Sequence, residues 1–361
     1  MASTFKPLNQ NDITTVRDML HEAIPITGTI VSGTYNTGPT DHNIKNYETG
    51  LFQSVFDYPY LSSSANHIFD LTVGYSNVSS LSASAMVAGG TQTNKKINMY
   101  NEMAQILAGF DETGSVRRFD RDGDLTGGAK LDEVFIVNFA RLLTKDEIKK
   151  QSFSMTLLTG STVSTPSLVS SNLLIQDHGA QTSYKVNSPV GEYGILYTAS
   201  APIHNNSGVG LIYYQAGICV LTASVFDGPA VADYIGNNGA GGETVNYTTV
   251  DDMLISGSIS GSCDAFRNRL DNISFNNTTE INSTIYFCRA NFNEYNYSSN
   301  PTYLSQSQIV VKTSPNELPR AFVTSVGLYS ADNELLAVAK LSAPLQKDPT
   351  DELILRVRLD Y

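Results

Sequence analysis

The chain has 361 residues, of which 41% are hydrophobic and only 16% charged, and its net charge is −12. That hydrophobic share can fill a sizeable core, whereas the acidic balance leaves no basic footprint for phosphates and so excludes general nucleic-acid binding. No apolar run reaches the roughly 20 residues a membrane-spanning helix needs.

The charged fraction lies well below the usual quarter or so of a globular domain. Ser, Thr, Asn, Gly and Gln supply the missing polarity, with 19 Tyr, 15 Phe and no Trp. A surface that is polar but weakly charged suits a protein packed against neighbours. The opening MASTFKPLNQNDITT has no basic stretch followed by an apolar one, so no secretory signal is expected. The sequons at Asn77, Asn246, Asn272, Asn282 and Asn296 then read as by-products of an Asn/Ser/Thr-rich chain. Cys219, Cys263 and Cys288 are far apart, odd in number and in apolar contexts, and read as buried reduced thiols.

In chain order, residues 1–48 are expected to be an N-terminal arm with one short helix around Asn11–Ala23. Asn11 or Asp12 would cap that helix, and Val16, Met19 and Leu20 would form its apolar face. The Gly/Thr-rich segment 27–43 reads either as an extended arm that clamps a neighbour or as a surface loop with a small hairpin. An α+β domain is expected over 49–160. Its clearest element is a helix in KKINMYNEMAQILAGF, where Ile97, Tyr100, Met103, Ala104 and Leu107 recur at helical spacing before Gly109. LDEVFIVNFARLL reads as a buried strand. Thr144 and Glu147 stand at capping-box spacing for one or two helical turns, and SFSMTLL returns as a strand.

The Ser/Thr-rich segment 159–172 marks the boundary to a mainly antiparallel β domain, 161–361. Short β-type runs dominate it, bounded by Gly, Pro, Asn, Asp or Ser. They are SYKVN, YGILYTA, GVGLIYYQAGICVLTASVF, STIYFCRANF, QIVVKT, AFVTSVGLYS, ELLAVAKLS and ELILRVRLDY. Residues 331–334 make the turn of a hairpin. In the last run Leu353, Leu355, Val357 and Leu359 face one way and Arg356 and Arg358 the other, with Ile354 the apolar exception. One helix interrupts, SGSCDAFRNRLDNI, with Cys263, Phe266 and Leu270 inward. The fold expected is mainly β (α+β), with antiparallel, sandwich-like sheets, a few short helices and an extended N-terminal arm.

Signals of catalysis are weak. His21, His42, His67, His178 and His204 have no metal-ligand spacing, and HExxH, CxxC, GxSxG, Walker and Rossmann patterns are missing. The Gly-rich NNGAGGET (237–244) lacks the Lys-Ser/Thr ending of a P-loop. Asp120, Asp122 and Asp124 open like a calcium loop, but Leu125 and Leu131 occupy the positions where an EF-hand needs Gly and Glu. A polar Asp/Gly turn is the preferred reading over a cation site. No catalytic, cofactor or metal residues are therefore assigned, and no cofactor is expected.

Segments 278–305 and 321–361 resemble a family of virion structural proteins from T4-like contractile-tailed bacteriophages, of the cyanophage and marine type. INMYNEMAQILAGFDETGSVRRFDRDGDL (97–125) and EVFIVNFARLLTKDEIKKQSFSM (133–155) resemble the same family, so the likeness covers about half of the chain. It implies a virion protein made in the host bacterial cytoplasm and, by analogy, a baseplate wedge subunit that holds neighbouring tail proteins in register. Partners would be other tail or baseplate proteins and further copies in a symmetric assembly, with no nucleic acid and no membrane insertion. The resemblance brings no catalytic residues with it.

Two alternatives stand beside this reading. One is a neck, collar or fibre-attachment protein. The other is a tail protein that binds or depolymerises host glycan, against which the lack of Trp weighs. The physical reading agrees with an assembly role, because permanent interfaces often exceed about 2,000 Å² and favour aromatic over charged residues. NFNEYNYSSNPTYL (291–304), with Phe292, Tyr295, Tyr297 and Tyr303 among Asn and Ser, reads either as a contact loop or as a loop stapled to its own domain.

Overall fold

The structure is a computed structural model, and it describes residues 5–27, 43–85, 91–158, 172–198, 208–226 and 249–361. Segments 28–42, 159–171 and 237–244, together with His42, His204 and Asn246, lie outside the described residues. The fold is mainly β, with 46% strand, 19% helix and a large antiparallel sheet, as the punctuated apolar runs lead one to expect. The chain divides into a large unit, His21–Thr279, and a small unit made of Met1–Leu20 and Glu280–Tyr361. The small unit is discontinuous in sequence and the large one continuous, and neither bound falls at 48 or 160, where the linear division was expected. Strand pairing explains the difference: Ser154–Leu158 pairs with both Asn172–Gln176 and the 270–274 stretch, so the sheet runs straight across the expected boundary.

The strand order of the main sheet begins at Ile13–Thr27 and the Leu270–Ala290 strand. It continues through Ser154–Leu158, Asn172–Gln176, Gly191–Thr198, Gly210–Tyr213 and Ile218–Thr222. It then passes Glu133–Phe139, His67–Tyr75 and Gln53–Phe56 and ends at Ile44–Asn46. The register sets Phe69 opposite Phe139, Leu71 opposite Val137, and Val137 opposite Cys219. Opposed residues share a face, so this row faces one core, beside Met253 and Leu254 of the helix Val250–Ser256 and Phe266 of the helix Ile259–Arg269. The Phe135 ring lies 4.9 Å from Phe266 and 5.6 Å from Phe226.

The alternate residues Val134, Ile136, Val220 and Leu211 meet Tyr100, Ala104 and Leu107 of the helix Thr91–Leu107 in a second core. Both faces are thus covered, which accounts for EVFIVNF being a nearly continuous apolar run rather than an alternating one. The helix lies directly on the sheet: a Cβ on Gly74 would stand 2.7 Å from the Lys96 carbonyl oxygen and 2.9 Å from the Tyr100 nitrogen. Lys96 is fully buried, and its ammonium donates to the carbonyls of Leu254 (2.6 Å) and Gly257 (2.7 Å) at the C-terminal end of Val250–Ser256. Those carbonyls have no partner within their helix, so the lysine supplies the missing donor.

Three local expectations are corrected. The segment expected as a helix over Asn11–Ala23 is instead a 3-10 turn, Gln10–Asp12, followed by a strand, Ile13–Thr27. The cap signal at Asp12 is used by the turn, where its carboxylate accepts from the Asn9 nitrogen (3.2 Å) and Arg289 (2.6 Å). Beyond it, β-branched Ile, Thr and Val dominate and Pro25 removes a donor, which favours pairing with the Leu270–Ala290 strand over a helix.

Thr144 does not begin a helix. It ends the short helix Arg141–Thr144, Lys145 takes a positive φ of 52°, and Glu147–Ile148 pairs with Asn277 and Thr278. QIVVKT contributes only Gln308–Ile309, in a small hairpin with Leu304–Ser305 turned by Gln306 and Ser307 at φ 50° and 66°.

Candidate interaction surface

The small unit carries the side chains best placed to meet another molecule. Its C-terminal strand, Leu353–Asp360, pairs with residues 283–290 from Ser283↔Asp360 to Ala290↔Leu353. The alternation read from the sequence holds: Val357 is buried, Leu353, Leu355 and Leu359 are half-buried, and Arg356, Arg358 and Ile354 point outward. Arg358 bridges Asp18 (2.7 Å) and Asp360 (2.6 Å), and Arg17 meets Glu280 (2.8 Å). The hydrogen bonds from Ser283 and Arg358 hold the Asp360 carboxyl below the usual carboxylate range. These pairs are exposed and contribute little each.

The strands Ala321–Tyr329 and Leu335–Lys347 form the expected hairpin, closed by the Ser330 nitrogen on the Glu334 carbonyl (2.9 Å). They make a separate two-stranded sheet among the described residues. Phe322, Tyr329, Leu335, Leu336, Val338 and Leu345 all remain exposed, Leu336 by 66%. An isolated two-stranded ribbon is marginal in water without cover. Here the base is pinned instead. Buried Lys347 donates to Asn296 Oδ1 (2.8 Å) and the Asp348 carbonyl (2.7 Å), and Tyr303 Oη donates to the Arg320 carbonyl (2.5 Å). The Phe5 ring stacks on Tyr329 at 4.1 Å.

The same anchors support the reading of 291–304 as a loop held to its own unit. Tyr303 and Asn296 are buried and hold the loop to its own unit, while Phe292, Tyr295 and Tyr297 stay exposed. Lys6 pairs with Glu294 (2.5 Å), which also accepts from the Asn291 nitrogen (3.1 Å), and the Lys6 hydrogen bond lowers the Glu294 pKa. The loop is therefore a braced turn that displays three rings. Burial also removes the Asn296 amide from the accessible sequons.

The acidic turn lies in the large unit. Ligand oxygens of Asp120, Asp122 and Asp124 fall within 4.8 Å of one another. Donors from the chain itself already reach them: Lys130 lies 3.0 Å from buried Asp120, the Leu125 nitrogen 2.5 Å from Asp120, and the Thr126 nitrogen 2.9 Å from Asp124. Burial raises the Asp120 pKa, and the Thr126 N–H lowers that of Asp124. A lysine ammonium as counter-ion supports the polar-turn reading.

Of the remaining residues singled out in the sequence, Cys219 and Cys263 are buried, with burial raising both thiol pKa values, and Cys288 is half-buried. His21 Nδ1 lies 3.2 Å from the Thr278 hydroxyl, and His67 meets Asp70. Sequence reasoning missed that the hairpin leaves its large apolar side chains exposed. Its signal was present in ELLAVAKL, where consecutive Leu335, Leu336, Ala337, Val338 and Ala339 leave neither face polar.

Comparison with protein families, with curated proteins and with solved structures gave no match.

Proposed function

We propose that this protein is a structural subunit of a bacteriophage contractile tail, placed in the baseplate wedge, where it holds neighbouring tail proteins in register. It acts through broad apolar and aromatic contact rather than catalysis, and needs no cofactor. The observation that carries the reading is the hairpin 321–347, whose six large exposed apolar side chains leave both its faces ready for cover. Completing the burial of each would contribute up to about 1.5 kcal/mol, roughly half the value for a fully exposed side chain, which is the driving force a permanent assembly uses. The resemblance of segments 97–125, 133–155, 278–305 and 321–361 to tail virion proteins supplies the biological setting. The antiparallel sheet supports a rigid body, since its backbone bonds must break together before it yields.

The test is incorporation. Leu336→Asp with Val338→Asp is expected to leave the free protein's melting unchanged and to remove it from assembled particles. Normal incorporation of that variant, or recovery of the wild-type chain in capsids but not in purified tails, would overturn the proposal.

A further inference from the structure

A second surface lies in the large unit. The register sets Lys45 opposite Ser54, Ser54 opposite Asp70, and Asp70 opposite Asn138. The intervening residues Val55, Phe69, Leu71 and Val137 fill the core, so this polar row occupies the other side of four adjacent strands. A bulge between the pairs Val55–Phe69 and Phe56–His67 brings the His67 ring to Asp70.

Aromatic rings border the row. The Lys45 ammonium lies 4.8 Å from the Tyr47 ring centroid and 5.9 Å from that of Tyr60. Tyr60 neighbours Phe56 at 6.2 Å, and Phe56 meets His67 edge-on at 5.5 Å. Lys45, Tyr47, Phe56, Tyr60, His67, Asp70 and Asn138 are all half-buried, while Ser54 lies beneath them.

The proton inventory shows a carboxylate already oriented on one side. Asp70 Oδ1 accepts from Ser54 Oγ (2.5 Å) and from His67 Nε2 (2.8 Å). Ser54 Oγ also lies 3.3 Å from Tyr47 Oη, so its hydroxyl faces both the carboxylate and the phenol. Among the described residues nothing donates to Asp70 Oδ2, and the Asp70 side chain is 28% exposed. A fixed carboxylate thus offers one open oxygen on a face that also carries an amide on the next strand, an ammonium two strands away and the tyrosine rings near that ammonium.

This mixture selects a class of ligand. A simple anion would meet Asp70, and a simple cation would meet Lys45. A dry apolar protein face would strand both charges, at several kcal/mol each. A pyranose satisfies all of them: its hydroxyls both donate and accept, its face of C–H bonds lies against an aromatic ring, and it carries no charge.

We propose that the face formed by Lys45, Tyr47, Tyr60, Asp70 and Asn138 is a carbohydrate-binding site for a neutral hexose unit. One hydroxyl donates to Asp70 Oδ2, a neighbouring one accepts from Lys45 or Asn138, and the sugar ring lies against Tyr47 or Tyr60. Binding without cleavage is the activity proposed for this site. It is independent of the role given to the hairpin and would serve a tail protein or any other.

The test uses the full chain on an array of neutral hexose oligosaccharides, with each hit followed by calorimetric titration at two salt concentrations. Salt-insensitive binding is expected, weakened at least tenfold by Asp70→Asn and by Tyr47→Ala. Tyr60→Ala, a change on a connecting loop, is expected to weaken it severalfold and serves where either of the other variants fails to fold. Absence of any hit, binding confined to charged glycans and abolished by salt, or affinity unchanged in the folded variants would each overturn the site.

Discussion

Two antiparallel strand pairs of this protein have similar side chains and opposite fates. His67–Tyr75 with Glu133–Phe139 is rich in Val, Leu, Ile and Phe, and Phe69, Leu71, Val73, Phe135 and Val137 are all fully buried. Ala321–Tyr329 with Leu335–Lys347 is comparably rich in Leu, Val, Phe and Tyr, yet its large side chains stand in water. Both are antiparallel ladders, the first regular and flanked by further strands, the second interrupted by two register shifts and standing alone among the described residues. The difference lies in what covers them: the first pair has a helix layer on each face, and the second is held at its base and by the single Phe5 ring on Tyr329. Apolar content in a strand therefore reports that burial is needed somewhere, without saying whether this chain or another one provides it.

The contrast can be broken at four points. The largest effect is expected from Phe135→Ala, which removes the ring between Phe226 and Phe266. It should cost about 3–5 kcal/mol in a denaturant titration, and a loss below 1 kcal/mol would mean that the core collapses around the site.

Two buried charges should give stability opposite pH slopes. Burial raises the Asp177 pKa to about 6, despite hydrogen bonds from Tyr214, Gln151 and Phe153. A raised folded pKa stabilises at low pH, so its contribution is complete below about pH 4 and lost as pH rises through about 6. At about 1.4 kcal/mol per unit the change is roughly 3 kcal/mol, and Asp177→Asn should flatten it. Burial lowers the Lys96 pKa to about 8, so its contribution is present above the unfolded lysine value and lost as pH falls through about 8. Unfolding at pH 7.5 and 10 should show the wild type gaining stability and Lys96→Met gaining less. Parallel curves in either comparison would contradict the assigned group.

Next in size is Gly74→Ala, which sets a methyl group against the backbone of Thr91–Leu107. A loss of about 1–3 kcal/mol is expected, read as a lower denaturant midpoint. The smallest effect sharpens the comparison from the other side: Leu336→Ser in the free protein should stay within about 0.5 kcal/mol of wild type, and a larger loss would show that the hairpin is covered within its own chain.

Much of the β architecture was legible because its signals are local. Gly109 ends a helix whose stripe is unbroken, residues 331–334 turn a hairpin, and Leu353 to Leu359 alternate. The segment Ile13–Thr27 was not legible, because Val16, Met19 and Leu20 mimic a helical face and the partner that makes it a strand lies some 250 residues away. The polar row was hidden for the same reason. Lys45, Ser54, Asp70 and Asn138 are neighbours only through strand register, and register leaves no trace at any one position.

By itself, then, the sequence determined which stretches become strands and helices over most of the chain, and that it lacks the spacing patterns of common catalytic and metal motifs. Those properties follow from side-chain shape and short-range periodicity, which act within a few residues. Only the tertiary structure decided which apolar strands are covered, which carboxylates are buried, and which distant polar groups share a face. Each of those depends on contacts between segments far apart in sequence, whose free energies are set by what surrounds a residue and not by the residue alone.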